Sequence, residues 1–374
     1  MAKHPAPLRS DASAGHPLVR NEEGLTPQWL TAVLRASGVL RSSSVTALTA
    51  EPIGNGLIGL NLRLCLEYDA AEPGAPKTLV AKMASTNAES RASGSSLKLY
   101  LREVSFYQEL APRIENGVAR TYFADITDDG QEYCLLFEDM APARMGDQLT
   151  GCSLADARAA MVTAAELAAP FWGDASLNDA PWMDRKMMTD MYCAALPPFM
   201  PTLAERFKHF LEPGVLEVAQ EYADNIERYY ALHSRSPFTV SHQDYRLDNM
   251  MFDARNGEMP VAVLDWQTLV PGPAALDASY FVGAGLLLED RRANEESLAR
   301  LYYDELIKRG VTGFSWEQCW HDYRLHAAHG LDMGIVGAAI TTSTKRGDKM
   351  LSTMINRHAQ QMIDLGTMDL IRNG

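Results

Sequence analysis

The sequence predicts an α+β protein in two lobes: an antiparallel sheet with one helix over residues 21–140, then a mainly helical part over 141–374. Three observations carry this reading. Short strands separated by turn signals fill 45–138, and Leu62, Leu64 and Leu66 alternate with Arg63, Cys65 and Glu67 at the period of a half-buried strand. Beyond Met140 the texture changes to Ala-, Leu- and Met-rich helical stretches at 153–169, 202–233, 295–309 and 316–340. One hairpin interrupts these helices. Its apolar runs, 249–253 and 260–265, flank Ala254-Arg255-Asn256-Gly257-Glu258-Met259, and the Asn-Gly pair is a strong turn signal.

Taken in chain order, residues 1–20 are rich in Pro, Ala, His and Ser, lack the apolar core of a signal peptide, and are expected to form a mobile tail. Thr26-Pro27 opens a helix to about Ser37, with a capping hydroxyl followed by a first-turn proline. Residues 45–85 read as strands, the last being Thr78-Leu79-Val80-Ala81-Lys82-Met83 after a Pro/Gly turn at 70–77. A polar loop over 85–96 leads into a helix over about 97–110, closed by Pro112. Strands near 119–125 and 132–138 flank the turn Thr127-Asp128-Asp129-Gly130, and the two lobes join near 139–142.

Composition narrows the function. The 374 residues are 47% hydrophobic, enough for a large core. Lys and Arg number 34 against 48 Asp and Glu, a net charge of −14, which argues against a nucleic-acid binder. Cys65, Cys134, Cys152, Cys193 and Cys319 are odd in number and lack CxxC spacing, so idle thiols in a reducing cytoplasm are expected, with neither disulfides nor zinc. No apolar run reaches the roughly 18 residues of a membrane span.

The chemistry concentrates around the hairpin. Folding back near Gly257 brings Asn249 and Asp265 to its open end, where an amide oxygen and a carboxylate suit a hard cation such as Mg²⁺. Asp244, on the preceding loop, can face the same point, orient a substrate hydroxyl and accept its proton. His242 reads as a hydrogen-bonded support of that loop, Asp248 as a solvated residue and Asp253 as a turn former. Gly54-Asn55-Gly56-Leu57-Ile58-Gly59 fits GxGxxG, but a strand follows it, not the helix that a dinucleotide fold needs. A glycine-rich turn over a nucleotide's phosphates and a purely structural turn both fit. Lys82 is either an edge residue facing solvent or a phosphate contact oriented by Glu103, which borders the stripe Tyr100, Val104, Tyr107 and Ala111, with Glu109 as the alternative partner.

In this order the residues resemble the aminoglycoside phosphotransferase superfamily of kinase-like small-molecule phosphotransferases, in its ecdysteroid-kinase-like and choline-kinase-like branch. The resemblance runs over 50–285. It joins the glycine loop (Gly54, Gly56, Gly59), Lys82, Glu103, the Leu136-Phe137-Glu138-Asp139-Met140 hinge, His242-x-Asp244-x-x-x-x-Asn249 and Asp265-Trp266-Gln267. Asp277 resembles the family's further aspartate that braces the catalytic loop. The resemblance implies a bilobal protein-kinase-like fold with ATP between the lobes, its adenine against the backbone at Glu138 to Met140. Lys82 would then contact the α- and β-phosphates, and Asn249 and Asp265 would hold Mg²⁺. Two departures stand out: Gln243 where relatives usually have Gly, and Trp-Gln after Asp265 where protein kinases have Phe-Gly. Only twelve residues lead from Asp265 to Asp277, too few for a long peptide-presenting segment, so the expected partner is a small-molecule hydroxyl acceptor.

The expected activity is an ATP- and Mg²⁺-dependent kinase acting on a small alcohol. The branch leans toward a hydrophobic one, sterol-like, hydroxyacyl or phenolic; the apolar side chains after 150 (Trp172, Trp182, Met183, Met187, Met188, Tyr192, Phe199) could line its pocket, although they suit an ordinary helical core better. An aminoglycoside-type antibiotic kinase, a non-catalytic nucleotide-binding module and a nicotinamide-dependent oxidoreductase are the alternatives. The sequence says nothing of oligomeric state.

Overall fold

The period-two pattern closes into an antiparallel sheet in the computed structural model, which describes residues 15–54 and 59–374. The chain divides into two compact units, Met1–Pro142 with Leu264–Thr268, and Ala143–Val263 with Leu269–Gly374.

In the first unit, helix α1 (Pro27–Ala36) starts on its cap, with Thr26 Oγ1 accepting from Trp29 N at 3.2 Å. Strands β1 (Val45–Pro52), β2 (Gly59–Tyr68), β3 (Thr78–Ala84), β4 (Thr121–Ile126) and β5 (Tyr133–Glu138) form one sheet in the order β1-β2-β3-β5-β4. Leu30, Val33 and Leu34 of α1 share a core with Leu62, Leu64, Leu79 and Ala81 of the sheet. Of the tail expected over 1–20, residues 1–14 lie outside the described residues. Leu18 and Val19 pack on this core, and Trp29 Nε1 donates to the Pro17 carbonyl at 2.9 Å.

The loop expected over 85–96 is instead helix α2 (Ala88–Ser96). Its Ser- and Gly-rich composition has weak helix propensity, but Asn87 caps it by accepting from Ser90 N at 2.9 Å. Gly94 also lets the ring of Tyr100 come within what would be 2.4 Å of a Cβ. Helix α3 (Leu99–Ser105) follows and continues through a widened turn at Phe106–Leu110 to a tight one at Ala111–Arg113.

The second unit runs β6 (Arg144–Met145), α4 (Leu154–Ala168), α5 (Arg185–Phe207), α6 (Val215–Asp224), α7 (Ile226–Leu232), β7 (Phe238–Ser241), β8 (Met250–Ala254), β9 (Met259–Val263), β10 (Val270–Pro273), α8 (Leu276–Gly285), α9 (Leu288–Lys308), α10 (Trp316–His326), α11 (His329–Ile340), α12 (Lys345–Leu365) and α13 (Thr367–Asn373). Its helical character is as expected, but several bounds are not. The helix expected to begin at 202 begins at Arg185 and passes through Pro197, Pro198 and Pro201. Met188, Tyr192, Leu196, Met200, Leu203 and Phe207 bury one face of it, and that packing offsets the amide hydrogen bonds the prolines cannot make. The same expected stretch breaks at Gly214, which has φ +82°, and the stretch 316–340 breaks between α10 and α11.

The hairpin forms where expected. Its pairs, from Met250–Val263 to Ala254–Met259, centre between Asn256 and Gly257, and the turn takes positive φ at Arg255, Asn256 and Gly257. β7 pairs with β10 and β6 pairs with β8, so the segment 242–249 is slung between two small sheets. Tyr245 pins it to α4 by donating to the Ala160 carbonyl at 2.7 Å. Gln148 accepts from Leu247 N at 3.0 Å and donates from its backbone to Asp248 at 2.9 Å.

Gly146 lies flat against this segment. A Cβ there would sit 2.3 Å from the Leu247 carbonyl oxygen, a backbone atom that cannot swing aside. Gly146→Ala is therefore expected to lower the unfolding free energy by about 1–3 kcal/mol, read from urea denaturation.

Candidate functional site

The first unit contributes a fixed cation. β3 lies inside the sheet between β2 and β5, so Lys82 is not an edge residue, and it is buried. Its ammonium is 2.7 Å from Glu103 Oε1 and 2.8 Å from Asp265 Oδ1. Burial alone would favour the neutral amine, but the carboxylates of Asp265 and Glu103 outweigh it and hold the Lys82 pKa above its ordinary value. Burial pushes the Glu103 carboxyl up, against the pull of Lys82. Gln267 donates to the other oxygen of Glu103 at 3.3 Å, so both carboxylate oxygens are engaged.

Asp265 has φ +64°, a left-handed conformation that Asp tolerates better than most residues. Directly after it, Trp266 stacks on Phe106 at 3.9 Å and 10°. The Trp-Gln pair thus anchors the 264–268 segment on α3 by the Gln267 amide and on the widened turn after it by the Trp266 ring. Glu109 takes no part in the Lys82 contacts.

The glycine segment joins antiparallel strands β1 and β2, so the helix that a dinucleotide fold places after its glycines is absent there. Gly54 has φ +71°. Gly56 lies outside the described residues. At Gly59 a Cβ would lie 3.0 Å from the Tyr133 hydroxyl and 3.2 Å from the Met83 carbonyl, so close packing alone accounts for glycine there. At the end of β5, Glu138 accepts from Arg120 N at 2.6 Å, Asp139 pairs with Arg63 at 2.7 Å, and Met140 is buried.

The second unit contributes a carboxylate on a tightly held loop. Asp277, in the first turn of α8, accepts from Ser241 Oγ at 2.9 Å, His242 N at 2.7 Å and Gln243 N at 3.0 Å. Burial pushes its carboxyl above the ordinary value despite these donors. His242 is buried and meets the ring of Tyr245 edge-on at 6.3 Å. Asp244 accepts from three donors: Arg246 Nε to its two oxygens at 2.9 and 3.0 Å, Tyr280 OH at 2.9 Å and Asn249 Nδ2 at 2.9 Å. Burial works against the ionised form, but the Arg246 guanidinium and these hydrogen bonds hold the Asp244 carboxyl below the usual carboxylate range.

Arg246 and Tyr280 were not singled out from the sequence. Arg246 stands two residues after Asp244, and Tyr280 stands three after Asp277 on the same helix, spacings that offered a signal. Asp248 departs from expectation: it is not merely solvated, because it pairs with Arg246 at 2.8 Å and accepts from Gln148 N. Of the residues expected to line an apolar pocket, Trp182, Met183, Met188 and Tyr192 are buried core, and Met187 is only partly exposed.

Nucleotide and divalent-metal chemistry fit these residues. The Asn249 nitrogen is committed to the backbone and side-chain oxygens of Asp244, both at 2.9 Å, which leaves the amide oxygen as its remaining acceptor. Lys82 has placed two of its three ammonium protons on carboxylates. An amide oxygen and the Asp265 carboxylate are hard donors of the kind Mg²⁺ prefers. Among the described residues no three His, Cys, Asp or Glu side chains converge as a metal cluster, and the five cysteines are free, with burial raising the thiols of Cys134 and Cys152 to about 12.

Removing the cation should expose what it neutralises. Lys82→Met is expected to cost about 3–5 kcal/mol of stability at neutral pH, because Glu103 is left charged and unpaired in the interior. The deficit should shrink in acid, where Glu103 protonates, and Lys82→Met/Glu103→Gln should recover most of it. Urea denaturation at several pH values reads all three.

The model of the ecdysteroid kinase-like family matches residues 54–310. An uncharacterised kinase-like protein of Caenorhabditis elegans is 29% identical over 91 residues, a match spanning 24% of either chain. Among solved structures, a mutant aminoglycoside 2′-phosphotransferase IIIa in complex with GDP superposes with a TM-score of 0.49 at 9% identity, over 91% of this chain and 98% of that one. Plasmodium vivax ethanolamine kinase does so with a TM-score of 0.48 at 12% identity, over 94% and 90%. The family match takes in Lys82, Glu103, Asp244, Asn249, Asp265 and Asp277 and covers well over half of the 374 residues: the chain belongs to the ecdysteroid kinase-like family.

Proposed function

We propose that the protein is a kinase that transfers the γ-phosphoryl group of ATP to a hydroxyl of a small organic molecule. The observation that carries this reading is the Lys82 ammonium held between Glu103 and Asp265. A buried strand has no structural need of a cation, and a protein that only packed there would use an apolar residue at less cost. Membership of a kinase-like family supports the same assignment.

In this reading Lys82 binds the phosphates, oriented by Glu103, which Gln267 in turn steadies. Asn249 and Asp265 are the protein ligands of Mg²⁺, which when bound offsets the negative charge of the phosphoryl oxygens. The backbone at Glu138 to Met140 receives the adenine. Asp244 orients the acceptor hydroxyl and takes its proton. The pull of Arg246 makes it a weak base, so direction matters more than proton affinity in what it contributes. Asp277 and His242 hold the loop that presents it. The acceptor is a small alcohol; the lean toward an apolar one now rests on few side chains, since most of the expected lining is core.

Release of ADP from MgATP, followed over a panel of hydroxyl compounds, tests the assignment. Asp244→Asn is expected to lower turnover of any accepted compound about 10²–10⁴-fold while ATP binding is retained. Undiminished turnover removes Asp244 from its role. Tight ATP binding with no transfer to any compound favours a non-catalytic nucleotide-binding module instead.

A further inference from the structure

Gln243 stands between His242 and Asp244 with φ +68°. A residue with a Cβ pays about 1–2 kcal/mol to stay in that left-handed region. Its side chain does not repay this at the site. The amide turns back to Ser241 Oγ, 2.7 Å away, and lies so close to β10 that a Cβ on Gly272 would be 3.0 Å from it. The backbone of Gln243 is what is held, through the two peptide groups that flank its Cα. Its N–H donates to Asp277, and its carbonyl accepts from His329 Nε2 at 2.7 Å.

His329 opens α11 and is fully buried. A carbonyl only accepts, so Nε2 carries a proton. The Nδ1 edge faces Asp332 Oδ2 at 3.5 Å, one turn along the same helix. Asp332 is also fully buried, and two phenols from other helices fix it: Tyr222 of α6 donates to Oδ1 at 2.7 Å and Tyr230 of α7 to Oδ2 at 2.6 Å. The His329 ring further meets Tyr280 edge-on at 5.5 Å, and Tyr280 is the phenol that donates to Asp244. Two routes therefore lead from His329 to Asp244, one through the Gln243 peptide and one through the Tyr280 ring.

We propose that His329, buried at the start of α11 beside Asp332, is a positioning residue that fixes the left-handed Gln243 backbone through its carbonyl and so sets the direction in which Asp244 is presented. Glycine would enter this conformation freely; glutamine must be kept there. Asp277 grips this backbone by its N–H and His329 by its carbonyl. Neither His329 nor Asp332 touches the reacting atoms. The value of the brace to catalysis rests on the phosphotransfer reading, but the brace itself can be read without any activity.

Two measurements on the full chain decide it. Imidazole ¹⁵N NMR of histidine-labelled protein, with the His329 signal identified by its loss in His329→Asn, should show Nε2 protonated and shielded from solvent exchange. A bare Nε2 overturns the proposal. Hydrogen exchange read by mass spectrometry should show peptides over 241–249 exchanging about tenfold faster or more in His329→Leu, with α12 protection unchanged. His329→Gln keeps a donor and should restore most of the protection. Unchanged exchange over 241–249 in His329→Leu overturns the proposal, and if that variant does not fold, the wild-type NMR result still decides. ADP release from MgATP with water as acceptor should fall about ten- to a hundredfold in kcat for His329→Leu with KM for ATP nearly constant. If the wild type itself releases none with water or any hydroxyl compound, the phosphotransfer reading fails, while exchange and NMR still decide the brace.

Discussion

A carboxylate drawn partly out of water is costly unless its oxygens are satisfied, and Asp277 meets that requirement by gripping the backbone that carries the site. Its two oxygens accept from Ser241 Oγ, His242 N and Gln243 N, so three consecutive residues of the loop are tied to the first turn of α8. The helix N-terminus also favours the negative charge. Once this segment is fixed, Asp244 follows, and its carboxylate lies among Arg246, Tyr280 and Asn249. The loop is held by side-chain hydrogen bonds to its backbone rather than by pairing in regular structure.

The first unit solves the complementary problem. Lys82 is a cation on an interior strand, made tolerable by Glu103 and Asp265. Trp266 against Phe106 and Gln267 against Glu103 bind the 264–268 segment to the region of α3 through stacking and a hydrogen bond. These are the positions where protein kinases carry Phe-Gly, and here both side chains are engaged in packing or hydrogen bonding.

Period and turn chemistry made the sheet, α1 and the hairpin legible in the sequence, because alternation, the Thr26 cap and Asn256-Gly257 each act locally. Helix α2 was hidden since its stability comes from the Asn87 cap and close packing at Gly94, not from its composition. Helix α5 was hidden since tertiary burial overrides three prolines. At the site, residues within a few positions of a motif could be named, and Lys82 with Glu103 was the pairing expected. Arg246 was overlooked although it stands two residues from Asp244, whereas Tyr280 and the His329–Asp332 pair act through contacts that only the fold makes. His329 lies 86 residues beyond the peptide it holds, a separation no local pattern reports.

The Gln243 departure, visible in the sequence, acquires a physical meaning from the fold. Its side chain is turned toward Ser241, and the strain of its backbone is met by helices that hold the residue's N–H on one side and its carbonyl on the other. Most of the apolar side chains expected to line an acceptor pocket are core. The claim at the centre of the account is that this chain makes a phosphate monoester. ³¹P NMR of the protein with MgATP and pooled hydroxyl compounds addresses it directly. The account predicts a new phosphomonoester resonance appearing one for one with ADP; ATP left unchanged, or ADP accompanied only by inorganic phosphate, would contradict it.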